Sequence, residues 1–159
     1  MKKLLFVFVS TLLLGFSTTT IAQDNTKKAG AANFKGPGTL NLGLTTGFSN
    51  NTIGFMADYE IAQLGRDFTV GAFVDYQSWS GKGSSFGAGA RFRWYADRVL
   101  NITNPKWDVY AVGDAGFKFG EGNALHLGIG VGAKYHISDK IGIQGNIGTG
   151  AQIGICFGL

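Results

Sequence analysis

From Thr39 to the end of the chain, apolar side chains recur at every second position through eight successive segments, interrupted at short intervals by Gly, Asn, Ser and Asp. A period of two belongs to extended strands, whose side chains point alternately to opposite faces; a helical stripe would repeat near 3.6. The sixth segment is the cleanest. Leu125, Leu127, Ile129, Val131, Ala133 and Tyr135 alternate with His126, Gly128, Gly130, Gly132, Lys134 and His136. In the third, Phe68, Val70, Ala72, Val74 and Tyr76 oppose Thr69, Gly71, Phe73, Asp75 and Gln77, and the fourth sets Phe86, Ala88, Ala90, Phe92 and Trp94 against Gly87, Gly89, Arg91 and Arg93. Each segment has roughly the 9 to 11 residues with which a tilted strand crosses a bilayer.

Which face meets water follows from volume. Eight strands close around an interior just wide enough to be filled by side chains. The large apolar residues are too many for that space, whereas the glycine-rich, sparsely charged face fits it. The chain has 26 glycines in 159 residues and 15% charged residues, against the usual ~7% and ~25%. A water-facing surface built mostly of glycine would be unusual for a soluble domain. The apolar face is therefore expected to point outward, into lipid. The fold class expected is all-β, an eight-stranded antiparallel up-and-down transmembrane barrel over residues 39–159.

The aromatic residues test this independently, because membrane barrels carry rings at both interfaces of an apolar band about 25 Å tall. With the first strand rising from the periplasm, one rim collects Tyr59, Phe68, Trp94, Trp107, Tyr135 and Phe157, and the other Phe48, Tyr76, Phe86, Phe117 and Phe119. Alternation alone would not produce two belts. A closed barrel is also the only sheet that lipid permits.

Residues 1–22 read as an address. Lys2 and Lys3 precede an apolar run from Leu4 to Phe16, and Thr20 and Ala22 are placed for cleavage, the pattern of a secretory signal peptide. The run is too short for a spanning helix, which needs about 20 residues. Residues 23–38 are polar, contain Lys27, Lys28 and Lys35, and are expected to form a flexible periplasmic N-terminal tail. Loss of Lys2 and Lys3 lowers the formal charge from +4 to +2. Basic residues stand singly, without the clustered face that phosphate backbones require, so no nucleic acid is expected as a partner. Cys156 alone makes neither a disulfide nor a metal cluster.

On the runs WDVYAVGDAGFKFG and LHLGIGVGAKYHISDKIGIQGNIGTG and the final strand, the chain resembles the small eight-stranded outer-membrane β-barrel proteins of Gram-negative bacteria, such as the membrane domain of OmpA and OmpX. The resemblance covers essentially the whole of residues 23–159. The last strand resembles the outer-membrane assembly signal, with Ile153, Ile155 and Phe157 alternating to the end and Leu159 where phenylalanine is more usual. The resemblance implies outer-membrane lipid and the insertion machinery as partners, without naming a protein partner. One feature departs from the family, which has short periplasmic turns and longer external loops. Here the longest connection, Asp97 to Lys106, lies on the periplasmic side by strand parity. Either the external surface is nearly loopless or the strand count is off by one; the former is the reading adopted.

The inward face holds Asp58, Glu60, Asp75, Arg91, Arg93, Asp108, Asp114, Lys118 and Lys134. A narrow barrel cannot leave such charges unpaired without large desolvation costs, so they are expected to form a network. Regular hairpins set Asp108 opposite Lys134, and Asp58 and Glu60 face Arg91 and Arg93 across the third strand, where Gly71 and Thr69 leave room. Such a network is either a pore lining or a plug; in eight strands the plug is favoured. His126 and His136 lack a carboxylate and serine constellation on one rim and read as satisfied lumen groups. The glycine runs match neither G-x-G-x-x-G nor a P-loop. No catalytic, cofactor-binding or metal-ligating set emerges. The expected function is a non-enzymatic outer-membrane barrel with a structural or interaction role; the alternatives are a narrow ion or small-solute channel and a lipid-modifying barrel enzyme.

Overall fold

The computed structural model describes residues 35–48, 52–79, 83–120 and 123–159. The signal peptide expected over 1–22 and most of the tail expected over 23–38 lie outside these residues. The alternating segments form eight strands: β1 (Thr39–Gly47), β2 (Thr52–Gln63), β3 (Phe68–Trp79), β4 (Gly83–Tyr95), β5 (Trp107–Gly120), β6 (Ala124–His136), β7 (Ile141–Gly148) and β8 (Ala151–Gly158). Each pairs antiparallel with its chain neighbours, and β1 pairs with β8, so the sheet is a closed up-and-down barrel without a free edge. The count of eight stands, and the 97–106 connection lies beside the chain's C-terminal end, opposite the short β1–β2, β3–β4, β5–β6 and β7–β8 connections.

The stagger can be followed residue by residue. From Tyr135 the pairing runs through Ile143, Ile155, Leu42, Ala57, Val74, Ala88 and Phe117 to Leu125, ten residues back along β6. A shift of this size tilts the strands by roughly 40°, within the range of closed barrels. The rows of paired side chains therefore climb obliquely from the terminal end to the far end.

Burial runs inside out relative to a water-soluble protein. Ile129 is 75% exposed and Ile153 70%, and large apolar residues line the outside of every strand, while Glu60 and Lys134 are fully buried. The interior is a polar core with a few rings: Phe73, Tyr95 and Tyr110. Glycine makes room for it. A side chain at Gly87 would collide with the carboxylate of Asp75, which occupies that space. β2 carries a bulge between Glu60 and Ala62, just past the point where Glu60 pairs with Gly71.

The expected girdles are arranged in pairs. At the terminal end, Phe68 pairs with Trp94, Trp107 with Tyr135, and Leu40 with both Tyr59 and Phe157. Toward the other end, Tyr76 pairs with Phe86 and Phe86 with Phe119; Phe117 is the next outward residue on β5, and Phe48 directly follows β1. Phe92 is a further outward ring on β4, and Phe55 pairs with Tyr76.

Candidate functional site: the polar lumen

The nine charged residues expected to face inward lie on the lumen side of their strands, and six of them, Asp58, Glu60, Arg91, Arg93, Asp114 and Lys134, link into one network of two groups. Strand parity sends Asp58 and Glu60 on β2 and Arg91 and Arg93 on β4 into the lumen, on either side of β3. Arg93 donates from Nη1 to Asp58 Oδ1 at 2.7 Å and from Nη2 to Asp58 Oδ2 at 3.0 Å. Arg91 donates from Nη1 to Asp58 Oδ2 at 2.9 Å and grips Asp114 on β5 from Nε and Nη2, both at 2.7 Å. Arg91 Nη1 also donates to Gln152 Oε1 on β8, at 3.2 Å. Planar guanidinium forks matched to carboxylates are the strongest ionic hydrogen bonds a protein makes. Asn41 Nδ2 adds a donor to Asp58 at 2.9 Å.

A second group lies toward the terminal end. Lys134 Nζ spans the lumen from β6 to Glu60 Oε1 at 2.6 Å, and Thr69 Oγ1 donates to the other Glu60 oxygen at 2.8 Å. Tyr95 bridges the two: its hydroxyl donates to Glu60 at 2.9 Å and accepts from Lys134 at 3.0 Å. The register does set Asp108 opposite Lys134, but their ion pairs go elsewhere. The long lysine reaches the far wall, while Asp108 meets His136 Nε2 at 2.6 Å. The length of the lysine side chain, which hairpin arithmetic does not capture, lets Lys134 reach across the lumen, while Asp108 pairs along the wall with its β6 neighbour.

Two residues outside the expected set complete this end. Tyr95 follows the outward Trp94, so parity alone would have identified it as a lumen residue. Lys35 had no such signal, since it precedes the first strand. Its Nζ donates to Asp97 Oδ2 at 2.8 Å, lies 3.5 Å from Asp108 Oδ1, and sits 5.5 Å from the centroid of the Tyr95 ring. Gly38 N–H donates to Glu60 O, so residues 35–38, at the end of the segment expected to be a tail, are fastened to the barrel. Asp97 also accepts from the Val109 N–H at 2.6 Å, tying the 97–106 connection to β5.

Among the described residues, the other end is open. Above Arg91 and Asp114 lies a vestibule of about 300 Å³, lined by Gln77, Lys118, His126 and Asn146 among others. Lys118 Nζ donates to Gln77 Oε1 at 3.0 Å, and His126 packs edge-on against Phe73. Asp75 is buried with no hydrogen-bond partner among the described residues. Beneath the vestibule, Phe73, Arg91, Arg93, Tyr110 and Lys134 are all nearly or wholly buried. Cys156 is a buried free thiol, and among the described residues no cluster of His, Cys, Asp and Glu is arranged to hold a metal ion.

No family profile matches the chain, and no curated protein does. Among solved structures, the chain is similar to a de novo designed transmembrane β-barrel, with 19% identity, a TM-score of 0.53, and coverage of 76% of this chain and 95% of that one. It also aligns with the N-terminal β-barrel domain of Pseudomonas aeruginosa OprF, with 13% identity, a TM-score of 0.45, and coverage of 77% and 98%. At 19% identity the likeness to the designed barrel is one of fold.

Proposed function

We propose that this chain is an integral outer-membrane β-barrel, exported by a cleaved signal peptide, whose lumen is plugged by its charged network and whose role is structural or one of interaction. The observation that carries the reading is the reversal of burial: the charged residues form the core and the branched aliphatic residues the surface. In water that arrangement would expose an apolar band around the whole circumference. In a bilayer it satisfies the strand hydrogen bonds within the closed sheet and turns a predominantly apolar wall to lipid, with the outward Thr46, Ser78 and Ser84 at the far rim. Two belts of rings mark the interfaces. The plug reading rests on the layer of buried side chains between Phe73 and Lys134.

The test is to express the full chain in a Gram-negative host, fractionate the envelope, and compare heated and unheated samples on a gel. Recovery in the outer membrane with altered unheated mobility is the expected result; a chain found soluble in the periplasm would overturn the membrane reading. The purified barrel is then placed in a planar bilayer. Silence is expected of a plug. Steady ion-sized steps would replace it with the channel reading, in which Arg91 and Arg93 become selectivity elements.

A further inference from the structure

Gly145 breaks the pattern of large outward residues. It faces outward on β7, between Ala133 on β6 and Ile153 on β8. The missing side chain, with only a methyl group at Ala133, leaves a groove of about 680 Å³ in the outer wall, lined almost wholly by apolar atoms. The groove follows the oblique row Ala133, Gly145, Ile153, Leu44 and Phe55, so it climbs from the terminal-end girdle toward the middle of the barrel. Its lower mouth is framed by Trp107 and Tyr135, whose ring centroids are 5.0 Å apart.

Charge is placed at that mouth. Lys106 immediately precedes Trp107, and its carbonyl accepts the His136 N–H. Lys140 precedes Ile141, which pairs with Phe157, and its carbonyl accepts the Gly158 N–H. Both lysines are exposed and neither forms an ion pair among the described residues; the exposed acid beside them is Asp139. An apolar slot that begins between two interfacial rings and two cations has the polarity of a lipid: anionic head at the rim, acyl chain within.

We propose that the groove at Gly145 is a binding site for one anionic glycerophospholipid, with its acyl chain along the Ala133–Phe55 row and its phosphate headgroup between Lys106 and Lys140. The proposal rests on the membrane reading above. A second copy of the barrel fits less well. A stable protein interface needs about 800 Å² from each partner, and a slot sunk between protruding rows that include Tyr135, Ile143 and Ile155 receives a flexible chain more readily than another convex wall.

The experiment is native mass spectrometry of the full-length gene product, isolated from membranes in mild detergent and offered phosphatidylglycerol and phosphatidylcholine at equal concentration. One phosphatidylglycerol adduct is expected to predominate. Gly145→Leu should remove it, because a Cβ there meets nothing nearer than the Gln152 carbonyl oxygen at 3.7 Å and the added side chain fills the groove without disturbing the wall. Ala133→Leu fills the same slot from β6 if the first variant folds poorly, folding being read from unheated gel mobility. Lys106→Gln and Lys140→Gln should each weaken phosphatidylglycerol binding roughly fivefold, the worth of one basic residue at a membrane surface, and leave phosphatidylcholine unchanged. Equal retention of the two lipids by the native chain, or an adduct that survives both groove-filling variants, overturns the proposal. So does a concentration-dependent dimer that those variants abolish, which would assign the groove to a second copy. A chain absent from membranes and without a mobility shift instead overturns the membrane reading itself.

Discussion

Asp58 and Arg93 are two strands apart, yet they meet face to face above β3 in a two-point ion pair, with Nη1 to Oδ1 at 2.7 Å and Nη2 to Oδ2 at 3.0 Å. Arg91 shares the same carboxylate at 2.9 Å. One buried acid thus anchors two guanidinium groups; its loss takes both carboxylate hydrogen bonds from Arg93, while Arg91 keeps Asp114.

Asp58→Ala is accordingly expected to destabilise the folded barrel by about 3–5 kcal/mol, the cost of leaving a buried charge without its partner. The urea midpoint of the chain refolded in lipid vesicles measures this. A midpoint equal to that of the native chain would mean that the network contributes little to the fold.

Two glycines should respond in opposite ways to the same added methyl group. At Gly154 a Cβ collides with the carbonyl oxygen and carbon of Leu42 on β1, next to the seam where β8 closes the barrel; at Gly113 it meets nothing within 4 Å. Gly154→Ala should cost about 1–3 kcal/mol as overpacking, and Gly113→Ala should stay within about 0.5 kcal/mol of the native value. Parallel unfolding curves decide the comparison, and similar shifts would show that the seam can relax.

Ile129 is the most exposed of the large apolar strand residues. If lipid surrounds it, Ile129→Arg should cost about 2–4 kcal/mol near the bilayer midplane, lowering the yield of folded barrel in vesicles. In a water-soluble barrel the same change would be harmless. Circular dichroism and gel mobility of the variant therefore test which solvent the wall meets.

The Lys35 clasp predicts a pH window. Burial works against the Lys35 charge, but the Asp97 hydrogen bond and the Asp108 and Asp97 charges outweigh it, so its pKa lies above its ordinary 10.5. A raised lysine pKa stabilises fully below 10.5 and loses that contribution as pH climbs through the raised value. Burial also lifts the Asp97 pKa above 3.8, against the opposing Lys35 and Val109 hydrogen bonds. The folded state therefore holds the Asp97 proton more tightly, and its ionisation costs stability as pH rises from 3.8. The charged clasp is complete between the two raised values. Acetylation of Lys35, mapped by mass spectrometry, should run slower than that of the exposed Lys106 and Lys140, and Asp97→Asn should bring it closer to theirs. Acetylation of Lys35 in the native chain as fast as that of those two lysines would count against the clasp.

Much of the architecture was legible before any coordinates, because a strand writes itself into sequence with a period of two. The alternation of Leu125 to His136 assigned inside and outside residue by residue, and the same parity separated Arg91 and Arg93 from Phe92 and Trp94. Tyr95 was legible by the same rule, one position beyond Trp94. The girdles followed from where the rings fell along each strand. Lys35 was not legible, since it belongs to no periodic segment.

Local alternation thus determined the strands, their two faces and the polar character of the core, because each strand's period depends only on its own residues. The pairing around the circumference decided the rest: that Lys134 crosses to Glu60 while Asp108 turns to His136, and that Gly145, Ala133 and Trp107 line a single groove. Those relationships join residues on different strands across the lumen or along an oblique row, and their distances depend on the stagger at which the barrel closes, a quantity that no single segment carries.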